Sequence, residues 1–96
     1  MDDDGSFIKE IIELFVSDSD RSLNELRSSV AASDIGRTHK TAHRLKGSAL
    51  SIGANRFAAL ASEIEHESEL ASINEAMLRL ESLRNETIAE LTSQTA

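Results

Sequence analysis

The chain has no cysteine, no proline, no tryptophan and no tyrosine, and only four glycines among its 96 residues. Without cysteine there is neither a disulfide nor a thiolate metal site, which is compatible with a reducing compartment. The missing prolines, with glycine confined to positions 5, 36, 47 and 53, remove most of the punctuation that bounds strands and tight turns. No apolar run approaches the roughly 20 residues that cross a bilayer, and no signal peptide is visible. What remains is rich in Ala, Leu, Glu, Arg and Ser, the composition of helices. The length suits one small domain with a thin hydrophobic core.

The formal charge is −7, which argues against nucleic acid as the main partner, because phosphate backbones require a basic footprint. The distribution is uneven. Residues 1–34 hold nine acids and three bases, and residues 63–96 hold eight acids and two bases. Between them, residues 35–62 hold no acid and five bases, Arg37, Lys40, Arg44, Lys46 and Arg56. A basic island inside an acidic protein suggests one face that meets something anionic.

Residues 1–6, with three consecutive aspartates, read as a flexible start, leaving 7–94 as the folded domain. Phe7 or Ile8, Ile11, Ile12 and Phe15 recur at helical spacing and predict a short first helix ending near Val16. Ser17-Asp18-Ser19-Asp20 offers N-caps for a second helix, carrying Leu23, Leu26 and Val30 to about Ser33. Asp34 is placed to cap a third helix that runs to about Ile52 and is stopped by Gly53. Asn55 is the expected cap of a fourth, with Phe57, Leu60, Ala61 and Ile64. After a reset near residues 68–72, a fifth carries Ile73, Met77, Leu80, Leu83 or Arg84, Thr87 and Leu91. The expectation is all-α: an antiparallel four-helix bundle formed by helices two to five, with the short first helix as a lid on one end.

The third helix carries two stripes. Ile35, Thr38, Ala42, Leu45, Ala49 and Ile52 fall at steps of three and four and should face the core. The second stripe, His39, His43, Lys46, Gly47 and Leu50, should face solvent. A mid-helix glycine costs about 1 kcal/mol against alanine, so Gly47 calls for a reason. One reason serves the whole stripe. Imidazole is nucleophilic and largely neutral near neutral pH, so His43 suits a phosphoryl acceptor. Lys46, one turn on, can hold charged phosphoryl oxygens. Gly47 clears space for a second protein's active site, and Leu50 extends an apolar surface for docking.

The run Ala42-His43-Arg44-Leu45-Lys46-Gly47-Ser48-Ala49, followed by Ile52-Gly53-Ala54, resembles the signature of histidine-containing phosphotransfer (HPt) domains, the four-helix modules of phosphorelays. The likeness extends over roughly residues 7 to 92. It implies that His43 is the acceptor, Lys46 its charge partner and Gly47 the access gap. Many members place a Gln or Glu 22 positions after the histidine to hydrogen-bond its other ring nitrogen; here that residue is Glu65. The resemblance also implies the partners: a response-regulator receiver domain and a sensor histidine kinase, in the same chain or another. His39, Lys40, Arg44 and Leu50 are the expected docking residues.

Other chemistries fit less well. His39 and His43 at i, i+4 have the spacing of a metal-binding pair, but Lys40 stands where a zinc protease has glutamate and repels cations. Gly36, Gly47 and Gly53 make no nucleotide-binding loop, so the chain reads as a phosphocarrier rather than an independent enzyme. It holds no intrinsic cofactor, and the Mg²⁺ needed for transfer is expected from the receiver. A monomeric, cytoplasmic module is expected, either free-standing or part of a hybrid kinase, without direct membrane contact. The alternative is a helical docking module of a signalling scaffold that does not transfer phosphoryl groups.

Overall fold

A computed structural model describes residues 4–93, with side chains from Phe7 onward. Four helices follow one another: α1 (Asp4–Ala31), α2 (Ile35–Ser51), α3 (Asn55–Glu65) and α4 (Leu70–Ser93). There is no strand among the described residues. The helices alternate in direction and build an elongated bundle of 50 × 17 × 17 Å. Of the expected flexible start, residues 1–3 lie outside the described residues, and Asp4 already opens α1.

Two expected helices are one. The chain does not break at Ser17–Asp20; α1 runs through it without interruption for 28 residues. Its inward stripe is Ile12, Phe15, Ser19, Leu23, Leu26 and Val30, at steps of three and four, with Ser19 standing where an apolar residue would continue the pattern. Ser19 is fully buried, and its hydroxyl accepts from Arg84 Nε of α4 at 2.7 Å. The same guanidinium donates to the Val16 carbonyl at 3.0 Å and lies 3.9 Å from Asp20. A capping cluster is thus absorbed by a cross-helix polar contact, which keeps the helical register. The first turns of α1 are therefore no lid. They continue straight, leaving Phe7 and Leu14 about two-thirds exposed.

Both turns flanking α2 are closed by the same hydrogen-bond pattern. At the end of α1, Ser33 N–H donates to Val30 O and Asp34 N–H to Ser29 O, both at 2.9 Å. After α2, Gly53 N–H reaches Leu50 O and Ala54 N–H reaches Ala49 O. The residue at the hinge of each turn is left-handed: Ser33 at φ 56° and Gly53 at φ 76°. Asp34 then caps α2 as expected, its carboxylate accepting from Arg37 N–H at 3.1 Å. Asn55 is not a cap. The turn uses up Gly53 so tightly that Ala54 takes the N-cap position, without a side-chain hydrogen bond, and Asn55 is already the first helical residue.

The core is one cluster. Leu23, Leu26, Leu45, Phe57, Ile64, Ile73 and Leu80 are almost fully enclosed, and Phe15 meets Phe57 edge-to-face at 5.6 Å. Both α2 and α3 contribute small buried residues to this cluster, Ala42 and Ala49 from one and Ala58 and Ala61 from the other. Small side chains let these two backbones approach closely, and that approach brings the exposed edges of α2 and α3 within side-chain reach of each other.

Ser33 is the one non-glycine residue held at positive φ among the described residues. Ser33→Gly should relieve that strain and raise stability by about 0.5–1 kcal/mol, read as a higher urea midpoint at unchanged slope. A lower midpoint would contradict this account of the turn.

Candidate functional site

His43 lies on α2 between Ala42, which is fully buried, and Leu45, which is nearly so; at 3.6 residues per turn this directs the imidazole outward. Its side chain is 67% exposed. Glu65, the last residue of α3, follows the buried Ile64 and sits at the α2–α3 edge, only 18% exposed. His43 Nδ1 donates to Glu65 Oε2 at 2.7 Å. A carboxylate only accepts, so this bond places the ring proton on Nδ1 and leaves Nε2 with a free lone pair facing solvent.

The other carboxylate oxygen belongs to Lys46. Its ammonium lies 2.9 Å from Glu65 Oε1, and the lysine side chain as a whole is three-quarters covered. The angle of that approach falls outside hydrogen-bond alignment, so Oε1 is buried without an aligned donor and is held by the charge of the ammonium. The Lys46 ammonium, more than any other neighbour, lowers the Glu65 pKa from its ordinary 4.5; burial opposes this, and the contact with His43 adds to the lowering. The carboxyl therefore stays ionised throughout the neutral range.

Gly47 is exposed, and a Cβ built on it would meet nothing within 4 Å. No intramolecular packing requires a glycine here. The missing side chain leaves bare helix backbone one turn beyond His43.

The expected docking residues divide. Lys40 is exposed and makes no ion pair among the described residues, and Leu50 is 55% exposed on the same stripe. Arg44 is exposed but bound: its guanidinium reaches Glu25 Oε2 of α1. His39 is half-buried rather than presented to a partner, with Nε2 on the Glu67 carbonyl in the α3–α4 loop. The basic island is accordingly less positive than its composition, because Lys46 and Arg44 are each neutralised by a carboxylate from a neighbouring helix. The Glu25–Arg44 pair and the His39–Glu67 contact have no signal in the sequence, because each depends on which faces the helices turn to each other. His66, Nδ1 donating to Ser62 O, is an ordinary helix-end residue. Among the described residues no three His, Cys, Asp or Glu side chains are grouped to hold a metal ion, and no helix is long and apolar enough to cross a membrane.

Because the Glu65 pKa is lowered in the folded state, the ion pair contributes stability above pH 4.5 that is lost as pH falls through the lowered value. Glu65→Gln should therefore unfold with a flatter acid limb than the wild type, the two curves converging at low pH. Urea midpoints measured across the acid range check this, and parallel limbs would contradict it.

Residues 10–94 match the family model of the Hpt domain. No curated protein and no solved structure matches the chain.

Proposed function

We propose, on the premise that this chain belongs to the Hpt domain family and so to histidine-containing phosphotransfer in two-component systems, that His43 Nε2 is the atom that carries the phosphoryl group. Hpt domains interact with response-regulator receiver domains and kinases. The observation that carries the assignment is the hydrogen bond from His43 Nδ1 to Glu65, which turns an exposed imidazole into a one-sided nucleophile.

The transfer balances without a proton leaving Nε2. The Nε2 lone pair attacks the phosphorus of a receiver's aspartyl phosphate, the acyl P–O bond breaks, and the aspartate departs as a carboxylate. The product ring carries phosphorus on Nε2 and hydrogen on Nδ1, and is cationic. The Glu65 carboxylate, kept ionised by Lys46, offsets that charge across 2.7 Å. In the return direction the N–P bond breaks, the electron pair goes back to Nε2, and the ring is neutral again. One contact serves both directions, as a relay intermediate requires.

Lys46 has a double task in this reading. It holds Glu65, and it has further N–H donors to offer to the arriving phosphoryl oxygens. Gly47 gives the receiver's active site room over the imidazole, and Lys40 and Leu50 make the flanking contacts. In this reading the Mg²⁺ that phosphoryl transfer needs comes with the receiver. The module acts as a monomer in the cytoplasm, alone or joined to a sensor kinase, because the receivers it meets are there.

Incubation with a phosphorylated receiver and Mg²⁺ should label the domain, and His43→Gln should abolish the label. Labelling that survives would move the acceptor elsewhere, and a wild type that never labels would favour the non-transferring docking module. Gly47→Ala should stabilise the helix by about 0.5–1 kcal/mol, since its methyl group meets nothing, while Gly47→Gln should slow transfer from the receiver without unfolding the domain. Equal transfer rates for Gly47→Gln and the wild type would remove the access role.

A further inference from the structure

The bond between His43 and Glu65 depends on a residue at the very end of a helix. Glu65 closes α3, and its carboxylate must reach α2 from the turn most prone to fray. The following residues, 66–69, are a loop before α4 begins at Leu70. Inside that loop the contacts are local: the Glu67 carboxylate accepts from Ser68 and Glu69 N–H, and Glu69 accepts from Ser72. Such contacts shape the loop but do not fix its position against α2.

His39 supplies that fixing point. Its Nε2 lies 2.5 Å from the Glu67 carbonyl oxygen, and since a carbonyl only accepts, Nε2 carries the proton and donates. The geometry is that of a double clamp. His39 and His43 are one helical turn apart on the same stripe of α2, about 6 Å along the axis. Glu65 closes α3, and Glu67 lies two residues on, in the loop. One bond joins the inner pair and one the outer pair, so the last turn of α3 cannot rotate away from His43 without breaking the His39 bond first.

We propose that His39 is a positioning residue for phosphotransfer: by holding the Glu67 carbonyl it keeps Glu65 on Nδ1 of His43, and thereby the Nε2 lone pair free for phosphorus. The inference rests on His43 being the acceptor. His39 touches neither the phosphoryl group nor Nε2, and its effect reaches the reaction through the tautomer of another histidine. Its place on the exposed stripe, which suggests a docking residue by sequence, is explained instead by the loop it fastens.

Two readouts on the full chain separate this from a general loss of structure. Long-range ¹H–¹⁵N correlation of the imidazoles reports the proton position on His43 directly, and phosphoramidate, a small phosphoryl donor, reports the reactivity of His43 without any partner. His39→Ala should reduce the fraction of His43 protonated on Nδ1 and slow phosphorylation by about tenfold while the circular dichroism remains helical. His39→Gln, whose amide donates at similar reach, should restore both. An unchanged tautomer and rate in His39→Ala overturns the proposal, and so does a loss that His39→Gln fails to restore. If the wild type takes no phosphoryl group from either phosphoramidate or a receiver, the acceptor assignment fails, while the tautomer measurement still decides whether His39 positions Glu65.

Discussion

One carboxylate organises the exposed edge of α2. Glu65 gives one oxygen to His43 and the other to Lys46, so the proton position of the imidazole, the charge state of the acid and the placement of the lysine are settled together. Remove the ammonium, and the carboxyl loses the strongest influence holding its pKa down. Remove the carboxylate, and the imidazole is free to exchange its proton between nitrogens. The small residues buried between α2 and α3 are what make this possible, since larger side chains at Ala42 or Ala61 would spread the backbones beyond the reach of the carboxylate. Core packing and site chemistry are the same constraint seen from two sides.

How much of this is legible in the sequence depends on whether the signal is local. The core stripe of α2, the Asp34 cap and the Gly53 stop are visible in consecutive residues and stand in the structure, whereas the second stripe faces solvent only in part, His43, Gly47 and Leu50 being exposed and His39 and Lys46 partly covered. The pairing of Glu65 with His43 can be anticipated only by resemblance, because it joins positions 22 apart across a turn. Ser17–Asp20 misleads for a physical reason: capping residues end a helix only when nothing else satisfies them, and Arg84, on a distant helix, satisfies Ser19 and reaches toward Asp20. Asn55 loses its expected role because the turn after α2 repeats the one before it, which puts Ala54, with no side-chain acceptor, where Asp34 stands and makes Asn55 the first helical residue. Lys46 is legible as a charge but not as a charge already spoken for. His39 is legible as a member of a stripe, yet its surroundings lie in a loop whose path no spacing reveals.

The same division separates the ends of the bundle. Where α1 begins, Phe7 and Leu14 stand in solvent beyond the core, while the α3–α4 loop is tied down by carboxylate and imidazole contacts. The His43–Glu65 contact lies toward the tied end, where a residue that closes a helix is held by its neighbours.

Gly47 leaves helix backbone bare at the surface, identical in kind whatever protein approaches it. A surface made by omission carries no chemical label, so it admits partners by shape and cannot tell close cousins apart. Under the proposed function, discrimination falls to the rim, where Lys40 and Leu50 are exposed. On that reading the module has a fixed centre and an editable border, so that wiring between signalling pathways can change while the chemistry stays the same.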